Sequence, residues 1–336
     1  MEVLSSKNAT AVLKMAARRL AGLEQPTLEA EVLLAYVLGL TRSRLLSLAE
    51  HKLSEDQLMQ FNRLLERRLQ GEPAAYLTGR REFWSLDLQV TPDVLIPRPE
   101  TERLVELALE RIPEKESWHI ADLGTGSGAI ALAIARERPR CRIIATDISE
   151  AALEVAYANA ERLAIRNIEF RLGGGDWFDV LQDEQFDMVV SNPPYVRSDD
   201  PHLEALRFEP QIALVAGADG LQSLRDVATQ ARDHFTPTLT TLPHQGGGDI
   251  PSLTPTLSRR ERVVKPGEEG GWLLLEHGYD QGSELLQMLA GLGYESALDY
   301  TDLAGVPRIA VAVAPGVLPH ATLVHPCTSQ WKISNE

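Results

Sequence analysis

Hydrophobic residues recur every three or four positions through the first part of the chain, which predicts a series of amphipathic helices. Thr10 can cap the first helix, and Pro26 and Gly39 mark the start and end of a second. Thr41 can cap a short third helix, and Ser54 to Gln57 has the capping-box spacing that opens a fourth. The apolar side of the first helix is expected to consist of Val12, Leu13, Ala16, Leu20 and Leu23. We therefore predict a small helical bundle at the start of the chain.

Beyond this bundle the pattern changes to alternation and then to short apolar runs. Leu86, Leu88 and Val90 alternate with other residues, which indicates a hairpin or an extended connector. Further along, apolar runs separated by helical segments are typical of buried parallel strands. These runs cover residues 118–123, 141–147, 168–172, 186–191 and 272–276. The predicted fold class is α/β, with a doubly wound, Rossmann-like sheet and a small N-terminal helical domain.

These patterns divide the chain into parts. Residues 1–75 are expected to form the helical domain, residues 76–98 a hairpin or connector, and residues 99–314 the α/β domain. Residues 236–270 interrupt that domain with a stretch dense in Thr, Pro and Gly, which favours a low-complexity insertion. Because this stretch enters before an inner strand, we expect it to bulge from one sheet edge without removing catalytic residues. The tail, residues 315–336, receives no assignment.

A glycine-rich loop follows the first apolar run of the α/β domain and precedes an alanine-rich helical segment. The loop comprises Gly124, Thr125, Gly126, Ser127 and Gly128. Glycines permit a tight turn and close approach of the backbone to a ligand. The spacing is GxGxG rather than the GxGxxG of dinucleotide-binding proteins, so it favours a cofactor without a pyrophosphate.

Two acidic residues follow along the same series of strands and helices. Asp147 ends the second run, about 20 residues past the glycines, where an acid usually accepts hydrogen bonds from ribose hydroxyls. Asp176 follows the third run and is a candidate acceptor for an adenine amine. Trp177 beside it can stack on the base or pack in the core. Together with the glycine loop, these residues predict a site for a nucleoside-containing cofactor.

A rigid polar segment follows the fourth run, at the strand end where open α/β sheets bind their ligands. It consists of Asn192, Pro193, Pro194 and Tyr195. Proline lacks an N–H and fixes φ, so the segment is rigid and its carbonyls are free to accept hydrogen bonds. The Asn192 side-chain oxygen adds another acceptor, and Tyr195 offers a flat ring for stacking. Such a site suits a planar amino group, either a carboxamide or the exocyclic amine of a base.

The composition is that of an acidic protein. Its 336 residues carry a formal net charge of −15, which disfavours general binding to nucleic-acid phosphates. Cys141 and Cys327 do not make a secreted disulfide framework, and no secretory signal or bilayer-length apolar stretch is evident. No cluster of His, Cys and acids has metal-ligand spacing. We expect a cytoplasmic enzyme with no metal and no membrane contact.

Taken together, these motifs resemble those of the release factor glutamine methyltransferases, a family of class I S-adenosylmethionine-dependent methyltransferases. The resemblance rests on residues 96–102, 122–128, 176–177, 191–195, 207–210 and 274–278. It implies S-adenosyl-L-methionine as the cofactor and S-adenosyl-L-homocysteine as the product. It also implies peptide chain release factors as protein substrates, methylated on the side-chain amide nitrogen of the glutamine in their Gly-Gly-Gln motif. No direct contact with nucleic acid is expected.

The resemblance also implies roles for individual residues. The cofactor is expected to contact the glycine loop, Asp147, Asp176, Trp177 and Asn192. Catalysis is expected to involve Asn192, Pro193 and Tyr195. The Asn192 oxygen and the Pro193 carbonyl would each accept one N–H of the substrate amide, which orients the nitrogen lone pair without a strong general base. The ring of Tyr195 would pack on the amide plane. The substrate site is completed by Pro194, Arg98 and Glu100, and the helical domain is expected to dock the substrate.

The residues leave alternatives open. An Asn-Pro-Pro-Tyr segment on this fold also occurs in methyltransferases that act on adenine amino groups of nucleic acid or on a ribosomal-protein glutamine. A further alternative is a non-catalytic S-adenosylmethionine-binding protein disabled by its insertion. The glycine spacing disfavours a dinucleotide-dependent oxidoreductase. His277 is expected to pack at a strand end rather than to act as an acid or base.

Overall fold

The first part of the chain folds as a cluster of short helices. The computed structural model describes residues 8–47, 51–236 and 271–314. Its N-terminal helices are α1 (Ala9–Arg19), α2 (Pro26–Leu38), α3 (Arg42–Leu46), α4 (Glu55–Leu69) and α5 (Ala74–Thr78). Buried side chains from each of these helices, among them Val12, Leu33, Phe61 and Leu65, form one hydrophobic core. The sequence pattern did not predict α5, which lies directly before the connector.

Side-chain caps fix the start of α1, α3 and α4. Thr41 caps α3, and Ser54 and Gln57 form a reciprocal capping box at α4, as predicted. The predicted cap at Thr10 is wrong, because α1 begins two residues earlier. Asn8 is its cap, and the Asn8 side-chain oxygen accepts a hydrogen bond from Ala11 N at 3.2 Å. Asparagine is at least as good a cap as threonine, so the earlier start is favoured.

An antiparallel hairpin connects the helices to the sheet. Its strands are β1 (Arg80–Phe83) and β2 (Leu86–Gln89). The backbone of β2 is held by Asn159, whose side-chain oxygen accepts a hydrogen bond from Gln89 N at 2.7 Å. The Asn159 amide nitrogen donates to the carbonyl oxygens of both Gln89 and Ser127, each at 3.0 Å. This one buried side chain therefore links the connector to the glycine loop.

The rest of the described chain forms a seven-stranded mixed sheet in the order β5-β4-β3-β6-β7-β9-β8. Its strands are β3 (His119–Leu123), β4 (Arg142–Asp147), β5 (Ile168–Leu172), β6 (Met188–Ser191), β7 (Trp272–Glu276), β8 (Glu295–Thr301) and β9 (Pro307–Val313). The strands β3 to β7 are parallel to one another, and β9 is antiparallel to both β7 and β8. The apolar runs predicted the parallel strands. The antiparallel edge was not predicted.

Helices cover both faces of the sheet. They are α6 (Glu102–Arg111), α7 (Ala129–Glu137), α8 (Glu150–Leu163), α9 (Gln222–Ala231) and α10 (Gly282–Gly291). Adjacent strand residues point to opposite faces, so Ile120 joins the core beneath α6 and α7, while Ala121 joins the core beneath α9 and α10. The fold is therefore the predicted doubly wound α/β class. The strand order reverses between β3 and β6, which is where such folds bind ligands.

The predicted insertion, residues 236–270, lies outside the described residues except for Thr236, and so does the tail, residues 315–336. The residues that flank the insertion lie beside each other. Thr236 N donates to the carbonyl oxygen of Phe186 at 3.0 Å, and Gly271 N donates to that of Asp187 at 2.6 Å. Both contacts lie at the amino ends of β6 and β7. No helix in the described part of the chain is long and apolar enough to cross a membrane.

Candidate active site

A cavity of about 370 Å³ opens at the carboxyl ends of β3, β4 and β6. It lies at the point where the strand order reverses. Most of the residues predicted for a site line this one cavity, namely Arg98, Gly124, Thr125, Gly126, Ser127, Asp147, Asp176, Trp177, Asn192 and Pro194. Motifs that are far apart in the sequence therefore meet in one place.

The remaining predicted residues lie outside the lining of this cavity, namely Glu100, Gly128, Pro193 and Tyr195. Gly128 caps α7 with a φ of 82°. A Cβ atom at this position would lie 3.0 Å from the side chain of Leu132 and 3.2 Å from that of Ala156. Glycine is therefore required here by the close packing of α7 and by its left-handed backbone.

A buried carboxylate holds the glycine loop from beneath. Asp122, at the end of β3, is fully buried, and its Oδ2 accepts hydrogen bonds from Thr125 Oγ1 at 2.7 Å and Ala131 N at 3.1 Å. Burial raises the pKa of Asp122 to about 7, against the opposing effect of these hydrogen bonds. The contact fixes the loop to the first turn of α7. Asp122 is part of the 122–128 motif that carries the family resemblance, but the sequence alone did not indicate a role for its side chain.

Asp147 holds the other side of the loop. Its Oδ2 accepts a hydrogen bond from Gly126 N at 2.8 Å, and its Oδ1 accepts one from Ser149 N at 2.9 Å. Burial raises the pKa of Asp147, and the backbone hydrogen bonds partly oppose this effect. An ionised carboxylate has about four lone-pair sites, so Asp147 can still accept a hydrogen bond from a ligand in the cavity. Asp147 can therefore both shape the loop and accept hydrogen bonds from hydroxyl groups.

An aromatic ring and an acid form another part of the wall. Trp177 lines the cavity and packs so closely over the glycine loop that a Cβ atom at Gly124 would lie 3.3 Å from its ring. The same ring also packs against the core on the α9 side of the sheet, so it both packs and lines the cavity. Asp176 is exposed at the cavity wall.

Asn192 follows β6 and faces the cavity. Its Nδ2 atom donates a hydrogen bond to Thr101 Oγ1 at 3.2 Å. The contact occupies the amide nitrogen and leaves Oδ1 as the atom that can accept a hydrogen bond from a ligand. Thr101 is buried, although it lies far from Asn192 in the sequence. Sequence reasoning did not assign it a role.

Tyr195 joins a buried carboxyl group behind the cavity. Its hydroxyl donates to Glu276 Oε1 at 3.2 Å, and its ring packs against the core on the α9 side. Burial raises the pKa of the Tyr195 phenol, and the nearby charge of Glu276 adds to this effect. Glu276 is 1% exposed, and burial raises its pKa to about 7. Two sequence signals pointed to Glu276: its place at the end of an apolar run, and its place within residues 274–278, which carry part of the family resemblance.

A buried ion pair holds Arg98 at the cavity. Arg98 Nη2 lies 2.6 Å from Glu209 Oε1, and Glu209 Oε2 accepts a hydrogen bond from Ile96 N at 3.0 Å. The side chain of Glu209 is 3% exposed. Glu209 belongs to residues 207–210, one of the segments that carry the family resemblance. The sequence alone did not indicate a role for the Glu209 side chain. This single carboxylate fixes both the backbone and the charged side chain of the connector.

His277 is fully buried and does not line the cavity. Its Nδ1 lies 2.8 Å from the Gly278 carbonyl oxygen, and its Nε2 lies 3.0 Å from Asp299 Oδ1. These contacts agree with a packing role at the strand end. Among the described residues, no group of three or more His, Cys, Asp or Glu side chains has an arrangement that holds a metal ion.

Comparison with known proteins identifies the family. Residues 11–79 match the family model for the PrmC N-terminal domain, and residues 102–208 match that for the methyltransferase small domain. The chain is 43% identical over 287 residues to the release factor glutamine methyltransferase of Coxiella burnetii, covering 85% of this chain and 91% of that protein. It is also 43% identical over 295 residues to the enzyme of that name from Escherichia coli, covering 86% and 94%.

A solved structure carries a similar name. The chain resembles the protein-(glutamine-N5) methyltransferase (release factor-specific) of Alicyclobacillus acidocaldarius, with 26% identity and a TM-score of 0.34. That match covers 68% of this chain and 99% of the other. The identities to the curated relatives extend over nearly their whole length. The chain is therefore a methyltransferase and belongs to the release factor glutamine methyltransferase family.

Proposed function

We propose that this chain methylates the side-chain amide nitrogen of the glutamine in the Gly-Gly-Gln motif of peptide chain release factors, with S-adenosyl-L-methionine as methyl donor. The observation that carries the proposal is the orientation of Asn192. Its amide nitrogen is held by Thr101, so its oxygen is the atom offered to a ligand at the cavity. An acceptor in that position suits the N–H of a primary amide.

The residues that line the cavity support S-adenosyl-L-methionine as the cofactor. Trp177 packs over Gly124 so closely that a Cβ atom there would lie 3.3 Å from its ring, and both residues line the cavity. We assign the ribose hydroxyls to Asp147 and the adenine to Asp176 and Trp177. Thr125 and Ser127 complete the loop that holds the rest of the cofactor. When bound, this cofactor supplies a methyl group activated on a sulfonium.

The protein's contribution to the reaction is to orient the substrate nitrogen. An amide nitrogen is a poor nucleophile because its lone pair is delocalised into the carbonyl. We propose that Asn192 Oδ1 and the Pro193 carbonyl oxygen each accept one N–H, which directs the lone pair toward the methyl group. The N–C bond forms as the S–C bond breaks, and the nitrogen then loses a proton to solvent. Oriented acceptors also stabilise the positive charge that develops on nitrogen.

The substrate glutamine would enter between the connector and the segment that follows β6. Arg98 and Pro194 line this side of the cavity, and we keep Glu100 and Tyr195 as residues that support it from behind. The names of the curated relatives favour a release factor over nucleic acid or a ribosomal protein. The net charge of −15 also disfavours a nucleic-acid substrate, because the phosphates of such a substrate would be repelled. We propose that the helical part, residues 1–75, docks the release factor. We also propose that the enzyme acts in the cytoplasm.

The insertion is compatible with activity. The flanking residues Thr236 and Gly271 bind at the amino ends of β6 and β7, whereas the cavity lies at the opposite, carboxyl ends. We therefore propose that residues 237–270 leave the catalytic residues in place. The distance between the two ends of the strands opposes the alternative of a binding protein that its insertion has disabled.

The test is methyl transfer from labelled S-adenosylmethionine to a purified release factor and to its Gln→Ala variant at the Gly-Gly-Gln motif. We expect label on the unaltered release factor and none on its Gln→Ala variant. Equal labelling of both would move the target to another residue. Binding of the cofactor with no labelling of either protein would favour a different substrate or a non-catalytic protein.

A further inference from the structure

We propose that Arg207 is a positioning residue that fixes the helical part against the α/β domain, so that a release factor docked on the helices reaches the cavity. The inference rests on the proposed function, in which residues 1–75 dock the substrate. It concerns the end of α4 and the loop that follows the Asn-Pro-Pro-Tyr segment, here called the 196–215 loop. Arg207 belongs to this loop and does not line the cavity.

The helical part has a hydrophobic core of its own. In the described chain, the buried members of that core all lie between residues 9 and 77. A separate small cluster lies at α5, where Ala75 and Tyr76 pack against buried residues of the connector and of α8. Parts of a chain that have separate cores and a small interface are expected to move relative to each other. A single contact lets the helices pivot, whereas contacts at two points fix their orientation.

Arg207 supplies a contact at the end of α4. Its Nη2 atom donates a hydrogen bond to the carbonyl oxygen of Gln70 at 2.5 Å. Gln70 is the C-cap of α4, and a positive charge is favoured beside the carbonyl groups that end a helix. Gly71 leaves room for the guanidinium, because a Cβ atom there would lie 2.8 Å from Arg207 Nη2. The turn that ends α4 is therefore shaped to receive this side chain.

The 196–215 loop itself orients the Arg207 side chain. Arg207 Nη1 donates a hydrogen bond to the carbonyl oxygen of Glu204 at 3.2 Å. The guanidinium carbon lies 4.8 Å from the centre of the Phe208 ring, at which distance a cation is attracted to the ring face. The side chain is 46% exposed, so these contacts rather than burial direct it toward α4.

The same loop forms part of the cavity. It begins directly after the segment proposed to hold the substrate amide. Two residues past Arg207, Glu209 makes the buried ion pair that holds Arg98 at the cavity. Pro210, the next residue, lines the cavity. Arg207 therefore links the helical part to the loop that forms the substrate side of the cavity.

This link has a consequence for binding of a protein substrate. A release factor that contacts both the helical part and the cavity binds tightly only if the two sites are held at the right separation. Loss of Arg207 leaves the cavity intact but lets the helical part move. The expected defect is therefore in KM for the release factor and not in the methyl-transfer step.

The first experiment measures KM and kcat for a release factor, and the Kd for S-adenosylmethionine, in Arg207→Met. We expect KM to rise about 3- to 10-fold, as for loss of one partly exposed hydrogen bond. The value of kcat at saturating release factor and the cofactor Kd should stay unchanged. Arg207→Lys keeps the charge and a donor, so it should restore part of the affinity. An unchanged KM in Arg207→Met would overturn the proposal.

Arg166→Met is the matched control. It removes an exposed arginine and its ion pair with Glu161 near the amino end of β5, at the sheet edge opposite the cavity. We expect this variant to keep the wild-type KM. A rise equal to that of Arg207→Met would overturn the proposal, because the loss of any surface arginine would then be sufficient.

A measurement without turnover separates this inference from the proposed function. Spin labels at Gln60→Cys on α4 and Glu137→Cys on α7, both exposed positions, report the distance between the two parts by pulsed electron paramagnetic resonance. The background is Cys327→Ser, and Cys141 is buried. Arg207→Met should broaden the distance distribution. A distribution identical to that of wild-type Arg207 would overturn the proposal even if KM rose, because Arg207 would then contact the release factor directly.

The two proposals can therefore fail separately. If the wild-type enzyme methylates no release factor, the proposed function fails, and the distance distributions still decide whether Arg207 fixes the helical part. If the wild type methylates the release factor but Arg207→Met changes neither KM nor the distances, the role of Arg207 is refuted and the proposed function stands.

Discussion

Ser191 Oγ donates a hydrogen bond to the carbonyl oxygen of Leu123 at 2.7 Å, and Ser191 is fully buried. The bond joins the last residue of β6 to the last residue of β3. Asn192 follows the first of these strands, and the glycine loop follows the second. The buried Ser191 hydroxyl therefore ties Asn192, which is proposed to hold the substrate, to the glycine loop, which is proposed to hold the cofactor. It thereby sets the spacing between them.

Ser191→Ala should lower both stability and turnover. The substitution removes the side-chain hydrogen bond to the buried Leu123 carbonyl oxygen. Such a loss typically lowers the free energy of unfolding by about 1–3 kcal/mol. It also loosens the junction on which the alignment of substrate and cofactor depends, so kcat should fall. Ser54→Ala is the matched control, because it removes the cap of α4 for about 1 kcal/mol but should leave kcat unchanged. Equal kcat in both variants would argue against a role for the strand junction.

Asp147→Ala should weaken binding of S-adenosylmethionine. Hydrogen bonds to a charged group contribute about 1.5–3 kcal/mol each, so the loss of one raises Kd by roughly 10- to 100-fold. The free Gly126 N–H adds to the effect, because Asp147 also holds the loop. Isothermal titration calorimetry measures the change. Asp183→Ala, at an exposed position outside the cavity, is the control and should bind as the wild type does.

Arg98→Met should destabilise the protein more than Glu209→Gln does. Without Arg98, the Glu209 carboxylate, which is 3% exposed, is left without its cation, and such a loss costs about 3–5 kcal/mol. Gln at position 209 keeps an acceptor for Ile96 N and leaves Arg98, which is 29% exposed, able to reach water. Urea denaturation compares the two. The reverse order would show that the pair does not hold the connector in this way.

The stability of the protein should depend on pH through Glu276. Its pKa is raised from 4.5 to about 7 by burial, so the unfolded chain releases this proton before the folded chain does. The stabilisation is complete below pH 4.5 and is lost as the pH rises toward 7. The shift corresponds to about 3 kcal/mol. The wild type should therefore lose about that much unfolding free energy relative to Glu276→Gln across this range.

Glu169 provides a control of opposite sign. Its hydrogen bonds with Arg171 and Arg142 lower its pKa from 4.5 to about 2. Its contribution to stability is therefore present above pH 4.5 and lost as the pH falls toward 2. Relative to Glu169→Gln, the wild type should gain stability with rising pH over that range. Urea denaturation at a series of pH values tests both variants, and the same sign for both would contradict the assignment.

Much of the fold and of the cavity was predictable because the signals are local. The glycine loop, Asp147 and Asn192 each directly follow an apolar run or end one, so the strand and its functional residue occur in one short segment. Parallel strands bring their carboxyl ends to one edge, which turns order along the chain into proximity in space. The same reasoning found the capping box at Ser54 and the helix end at Gly39.

The rest depends on contacts between distant segments. Thr101 meets Asn192, Glu276 meets Tyr195, and Glu209 meets Arg98, and the partners are separated by 91, 81 and 111 positions in the sequence. Each of these side chains is an ordinary polar residue until the fold buries it beside its partner. Composition and periodicity hold no information about such pairs. The short α5 and the irregular strand β8 also escaped prediction, because their apolar periodicity is too brief or too irregular. Strand β9 does contain an apolar run, but such a run does not reveal that the strand is antiparallel.

The central claim is that Asn192 presents a substrate amide nitrogen to the methyl donor. The most direct measurement is mass spectrometry of the Gly-Gly-Gln peptide from a release factor incubated with S-adenosylmethionine and either the wild-type enzyme or Asn192→Ala. We predict one added methyl group on the glutamine side chain with the wild type. We expect a rate lower by roughly 10²- to 10³-fold with the variant, as for loss of a single oriented polar group. A methyl group on any other residue, or wild-type rates from Asn192→Ala, would contradict the account.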